Sequence, residues 1–191
     1  TSFQGGKKIW RLVSGFLRGA EFISEMRSIA IIQARMNSSR FPGKVMLDLC
    51  GKTVLSHVVG RVQACEDVDQ VVVATTEHPI DQRIATEALK LGAEVYRGSE
   101  NDVLARYYEA AKNFDAEIVI RVTADCPFFD PEVLSQMLNK FNCLPLTGFP
   151  KVYLSNTRIR TYPRGLDVEI FNFPALELAY KNATLELERE H

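Results

Sequence analysis

Ser28-Ile29-Ala30-Ile31-Ile32-Gln33-Ala34, running directly into Arg35-Met36-Asn37-Ser38-Ser39-Arg40-Phe41-Pro42-Gly43-Lys44, is the stretch on which the fold turns. Its first half is a short continuous apolar run, the pattern of a strand buried on both faces. Its second half is a polar, cationic loop. Outward from it, Thr53 to Cys65 carries apolar residues at 54, 55, 58, 59 and 62, the period of a helix, with Thr53 as its N-cap. Gln70 to Thr75 reads as a second buried strand, and Pro79 to Leu91 as a helix that opens on proline and stops at Gly92. Glu94 to Arg97 reads as a short third strand, Asp102 to Phe114 as a helix, and Glu117 to Val122 as a fourth strand leading into Thr123-Ala124-Asp125-Cys126-Pro127. Asp130-Pro131 then opens another helix. Strands alternating with helices of about a dozen residues predict βαβ units: an α/β fold with a mainly parallel sheet and helices on both faces. After Phe141 the pattern loosens. Val152 to Asn156 and Leu166 to Phe173 read as strands, joined by a loop containing Arg158, Arg160, Tyr162, Pro163, Arg164 and Gly165.

The bulk properties agree with one folded domain. At 191 residues, with 46% hydrophobic and 25% charged residues, the chain can bury a real core and is neither disordered nor fibrous in composition. A formal net charge of -1 gives no global field toward nucleic acid or an anionic membrane, so phosphate binding must come from a local cationic cluster. Cys50, Cys65, Cys126 and Cys143 form no CxxC pair and no metal-ligand spacing, which points to reduced thiols and a cytoplasmic setting. Residues 1–25, with Lys7-Lys8-Ile9-Trp10-Arg11-Leu12-Val13, read either as an amphipathic surface helix or as a leader appended ahead of a start at Met26, the second being favoured. They hold no apolar run long enough to span a bilayer. Residues 26–191 are taken as the working domain.

In open parallel sheets ligands gather beyond the carboxyl ends of the strands, which singles out the segments after the first and fourth strands. The first places Arg35, Arg40, Lys44, Ser38, Ser39 and Gly43 within ten residues. Guanidinium forks grip phosphate oxygens in pairs, hydroxyls and backbone N–H groups fill the remaining positions, and lysine supplies a point charge. A solvated cationic loop is the plain alternative, but the position after a buried strand favours a triphosphate. The spacing is neither a GxxxxGK[ST] loop nor GxGxxG. After the fourth strand, Asp125 stands where a carboxylate holds a hard cation such as Mg²⁺ together with substrate phosphates, or is an ordinary turn aspartate ahead of Pro127. Asp130 reads as a helix cap. The segment from Arg97 to Arg106 is a third candidate, in which Asp102 also reads as a cap. The fourth is Tyr162 to Glu169, where Asp167 and Glu169 alternate on one side of the expected strand with arginines just upstream; solvated edge charges are the even alternative. His57 and His78 read as structural or solvated, and His191 has no context.

These segments resemble the acylneuraminate and 3-deoxy-manno-octulosonate cytidylyltransferase family, most closely its spore coat polysaccharide biosynthesis type. The resemblance is carried by Ala30 to Lys44, Val71 to Thr76, Arg97 to Leu104, Arg121 to Pro127 and Glu188 to His191, the first being the most specific. It implies a Rossmann-like nucleotide-diphospho-sugar transferase fold and a reaction in which a sugar hydroxyl attacks the α-phosphate of CTP and pyrophosphate leaves. It further implies Mg²⁺ on Asp125 and catalytic roles for Arg35, Lys44 and Asp125. Nucleotide contacts are expected from Gln33, Ala34, Arg35, Ser38, Arg40, Gly43, Lys44, Arg97, Asp102 and Thr123, and contacts to the acceptor sugar from Arg164, Asp167 and Glu169. The expected partners are CTP and a sugar, without nucleic acid or a membrane span; a homodimer is left open. Members of the family continue past the segment like Glu188 to His191 into a further metal-binding turn, so residues 26–191 are expected to be a domain truncated at its C-terminus. The alternatives are a glycosyltransferase of the same fold that uses a nucleotide-sugar donor, and a non-catalytic nucleotide-binding domain.

Overall fold

The structure, a computed structural model, describes residues 26–38, 41–144 and 150–190. The expected leader, Arg40 and His191 lie outside the described residues. At the centre is β1 (Ser28–Gln33), whose Ile29, Ala30, Ile31 and Ile32 are wholly buried, as a strand covered on both faces requires. A short hairpin, β2 (Asp48–Leu49) and β3 (Lys52–Thr53), follows the cationic loop and leads into α1 (Val54–Gln63), where the Thr53 hydroxyl accepts from the Ser56 N–H at 3.0 Å. β4 (Gln70–Thr76), α2 (Gln82–Lys90), β5 (Glu94–Gly98), α3 (Val103–Asn113), β6 (Ile118–Thr123) and α4 (Pro131–Asn142) complete the alternating part. β7 (Tyr153–Ser155), β8 (Glu169–Asn172), α5 (Phe173–Asn182) and α6 (Glu186–Glu190) close it.

The six-stranded sheet runs β5-β4-β1-β6-β8-β7, with β1 parallel to both β4 and β6 and β4 parallel to β5. The expected α/β fold with a mainly parallel sheet and helices on both faces is the observed one. Alternate residues of each strand feed opposite layers. Ala30, Ile32, Val73 and Ile120 pack with Val58 and Val62 of α1, Ile84 of α2 and Leu134 and Phe141 of α4. Ile29, Ile31, Val72 and Val119 pack with Tyr107 and Ala110 of α3 and Leu176 of α5. Each such large side chain fully removed from water contributes about 1.5–3 kcal/mol, which fixes the pleat of the sheet and hence the edge from which each loop leaves.

Three expectations are corrected. The helix expected from Pro79 begins as a 3-10 turn, Pro79–Asp81, and becomes α-helical only at Gln82; Asp81 is turned inward there to serve other loops. The strand expected over Leu166 to Phe173 is confined to Glu169–Asn172 and runs antiparallel to β6. Upstream, the Asn156 side chain takes the backbone groups a strand partner would have used, donating to the Leu166 carbonyl at 2.8 Å and accepting from the Val168 N–H at 2.9 Å. Downstream, Asn172 caps a helix by accepting from the Ala175 N–H at 3.2 Å, and Pro174 suits its first turn. Likewise the strand expected over Val152 to Asn156 is only Tyr153–Ser155, and the helices α5 and α6 were not foreseen.

Candidate active site

Parallel pairing brings the ends of β1, β4, β5 and β6 to one edge of the sheet: Gln33 lies level with Ala74 and Thr123, and Thr76 with Gly98. The connections from β1 go toward β4 on one side, while β6 lies on the other, so the crevice of an open α/β sheet opens between β1 and β6. The loop after β1 is closed at its base by the Gly43 N–H donating to the Met36 carbonyl at 2.8 Å. Gly43 has φ +71°, and a Cβ there would sit 3.3 Å from the Met36 methyl. Gly43→Ala is therefore expected to cost about 1 kcal/mol in denaturant unfolding, mostly from the left-handed backbone; an unchanged midpoint would mean that the loop base relaxes freely. The Met36 N–H donates to Asp81 Oδ1 at 2.7 Å, and Asp81, 2% exposed, also accepts from the Thr76 hydroxyl. Asn37 Nδ2 donates to Glu100 Oε1 at 2.8 Å, tying this loop to the one after β5.

Across the crevice, Lys44 Nζ donates to Asp125 Oδ2 at 2.5 Å. Burial works against ionisation of Asp125, but hydrogen bonds from Lys44 and Thr123 and the Lys44 charge prevail and hold its carboxyl below the ordinary aspartate value. Replacing Lys44 by methionine leaves burial less opposed, and the Asp125 pKa is expected to rise, as followed by carboxyl NMR. A lowered native pKa stabilises the fold above the unfolded value of about 3.9 and loses that contribution as pH falls through the native value. The window is thus confined to strong acid, and the methionine variant has less to lose in it. An Asp125 titration unmoved by the substitution would show that Lys44 is not what holds it down. Beside them, the Cys126 thiol is pushed up by burial and by the charges of Asp125 and Asp167, against a hydrogen bond with Thr123 at 3.3 Å. It remains a thiol at neutral pH, not an activated nucleophile.

The other expected residues scatter around this centre. Gln33 ends β1 and Ala34 follows it, 2% exposed; Ser38 is half-buried in the loop. Arg35 Nη2 stands 3.8 Å from Glu190 Oε1. Arg97 braces the turn after β4, donating to the Thr76 and His78 carbonyls at 3.0 and 3.1 Å and to Gln82 at 2.6 Å. Asp102 caps α3 by accepting from the Ala105 N–H at 2.8 Å and receives Arg189 Nε on its other oxygen at 2.7 Å. The acceptor-sugar candidates do not converge. Arg164 is exposed, and Asp167 forms a two-pronged pair with Arg160 at 2.8 and 3.1 Å. Glu169 has a separate set of partners, Arg121 Nη1 at 2.5 Å and the Tyr153 hydroxyl at 3.0 Å. The expected alternation of Asp167 and Glu169 along one strand face is thus corrected, because β8 starts only at Glu169. Glu169 lines a cavity of about 680 Å³ with Tyr107, Arg121, Tyr153, Phe171, Arg189 and Glu190.

Residues 29–191 match the family model whose description is cytidylyltransferase. The chain belongs to the cytidylyltransferase family. It is 36% identical over 166 residues to an uncharacterised protein of Methanocaldococcus jannaschii, covering 87% of this chain and 65% of that one. It is 39% identical over 112 residues to the spore coat polysaccharide biosynthesis protein SpsF of Bacillus subtilis, covering 56% of this chain and 47% of that one. The solved structure of a cytidylyltransferase from Leptospira borgpetersenii superposes with a TM-score of 0.81 at 38% identity, over 87% of this chain and 68% of that one. The chain thus spans about half to two thirds of the length of these relatives.

Sequence reasoning passed over Asp81 and Tyr153 in this member of the family, and gave no role to Arg106, Arg121 and Arg189, which lay inside candidate or family-matching segments. Arg189 was marked only as part of the family-matching segment Glu188 to His191; the structure shows that it anchors α6, donating to Asp102 and to the Tyr180 and Ala183 carbonyls. Asp81 carries the residue type of a helix cap, but it makes no capping hydrogen bond, and its actual donors, Met36 and Thr76, come from other elements that no local pattern links to it.

Proposed function

We propose that this chain is the nucleotide-binding and catalytic part of a sugar nucleotidyltransferase that takes CTP and a sugar and forms a CMP-sugar and pyrophosphate, in the cytoplasm and for cell-surface polysaccharide synthesis. The observation that carries the reading is the contact of Lys44 with Asp125 across the β1–β6 crevice. A cation from the β1 loop and a carboxylate from the β6 loop face one another where a triphosphate would lie in a sheet of this topology. In-line displacement at phosphorus calls for positioning and charge neutralisation more than covalent help, which suits a site with no activated nucleophile. Arg35, Arg40 and Lys44 are assigned to the phosphates, with Gln33, Ala34, Ser38, Gly43 and Thr123 as neighbouring contacts. Arg97 and Asp102 are assigned to holding the loops that receive the nucleotide, since their polar atoms already have protein partners.

The donor set at Asp125 fits Mg²⁺, an ion that takes one or two carboxylates and completes its shell with water and substrate phosphate. Among the described residues no three His, Cys, Asp or Glu side chains gather into a metal-holding group, so one protein carboxylate plus phosphate oxygens is the arrangement available. When bound, Mg²⁺ would neutralise charge on the triphosphate. Asp125 is exposed at the edge of the crevice and held ionised, ready to orient it. Of the three residues expected at the acceptor sugar, Glu169 alone lines a cavity, and the acceptor is assigned there. Among the described residues no helix is long and apolar enough to cross a membrane.

The test is pyrophosphate release by the purified protein with Mg²⁺, each of the four nucleoside triphosphates and a pooled set of acidic and deoxy-amino sugars. Release that needs both CTP and sugar supports the reading. Turnover of a nucleotide-sugar to free nucleoside diphosphate, with no pyrophosphate from any triphosphate, overturns it in favour of a glycosyltransferase.

A further inference from the structure

Arg106, in α3, is wholly buried, the one lysine or arginine in that state among the described residues. Its Nη1 donates to the Ser99 carbonyl at 2.7 Å, while Nε and Nη2 have no hydrogen-bond partner among the described residues. Burial foremost, and the Arg35 charge besides, push its pKa down; Tyr107, Asp81 and Glu100 act the other way. Its stem lies under the end of β5, where a Cβ on Gly98 would meet Arg106 Cγ at 3.5 Å. A buried cation with unmet donors lowers stability relative to an apolar side chain of the same volume. Its contribution must lie in geometry. The residue after Ser99, Glu100, is the one that holds Asn37 of the β1 loop, and Asp81 holds Met36 of that same loop. Arg106 therefore holds the 98–102 loop next to the residue that joins that loop to the cationic β1 loop, which supplies Lys44 to the crevice.

We infer that Arg106 is a positioning residue: by holding the Ser99 carbonyl it fixes the 98–102 loop so that Glu100 reaches Asn37, and it thereby sets the two loops in the shape that receives a nucleoside triphosphate. The last step rests on the function proposed above; the coupling of the loops does not. The experiment compares wild type with Arg106→Met and Arg106→Lys in three readouts: unfolding midpoint, hydrogen exchange of the nucleotide-free protein, and steady-state kinetics with CTP. In the methionine variant the midpoint holds or rises, residues 35–38 and 99–102 exchange faster together, and KM for CTP rises about tenfold with kcat little changed. The lysine variant, which keeps one cationic donor, recovers part of the protection and of KM. Exchange in both loops unchanged in the methionine variant overturns the inference. So does a fall in midpoint with exchange raised uniformly through the core, the mark of a purely structural residue. If wild type itself binds no CTP, the proposed function falls, and the exchange comparison still decides whether Arg106 couples the loops.

Discussion

Asp125→Asn is expected to lower turnover by roughly two orders of magnitude or more, the scale of removing a main charge stabiliser from a transition state. The substitution keeps the side chain's shape and one oxygen for Lys44, so what it removes is the negative charge that would orient a cation on the triphosphate. The pair is partly solvated, with side-chain exposures of 31% for Lys44 and 41% for Asp125, so its loss changes stability by no more than about 1 kcal/mol. A large fall in kcat with a nearly constant unfolding midpoint is therefore the signature, measured as pyrophosphate release beside a denaturant curve. Turnover equal to wild type would remove Asp125 from the metal assignment and leave it as a turn residue that pairs with Lys44.

Asp81→Ala is expected to destabilise the protein by about 3 kcal/mol. Asp81 is 2% exposed and takes two donors at once, the Met36 N–H at 2.7 Å and the Thr76 hydroxyl. Removing it leaves the buried Met36 N–H without its acceptor. Asp81→Asn keeps an oxygen for Met36 and offers an amide to the Thr76 hydroxyl, so about 1 kcal/mol is expected there. The same pair of variants should weaken CTP binding in the same order, because Met36 lies at the root of the cationic loop. Equal unfolding midpoints for the alanine variant and wild type would show that the β1 loop does not depend on this carboxylate.

The alternating part of the fold was legible because its signals are local. Ile29 to Ile32 and Val71 to Val73 are apolar runs that only a doubly covered strand explains, and Thr53, Asp102 and Asp130 stand where helix caps belong; all three accept backbone N–H bonds as caps do. The closing part was less legible because local signals there compete. Leu166 to Phe173 has the composition of one strand, yet Asn156 and Asn172 take over the backbone groups at its two ends and cut it to four residues.

By itself, then, the sequence determined the order of strands and crossover helices, the cationic loop and the place of Asp125 after a buried strand, since each is written in a dozen or fewer neighbouring residues. The tertiary structure alone decided which of these residues meet. Lys44 finds Asp125 across 81 positions, Met36 finds Asp81 across 45, and Asp102 finds Arg189 across 87. It also decided that Asp167 and Glu169 part company and that Arg106 is buried. Such pairings follow from how parallel strands stack their ends along one edge of the sheet, a consequence of backbone hydrogen bonding and core burial summed over the whole chain, and no local pattern encodes them.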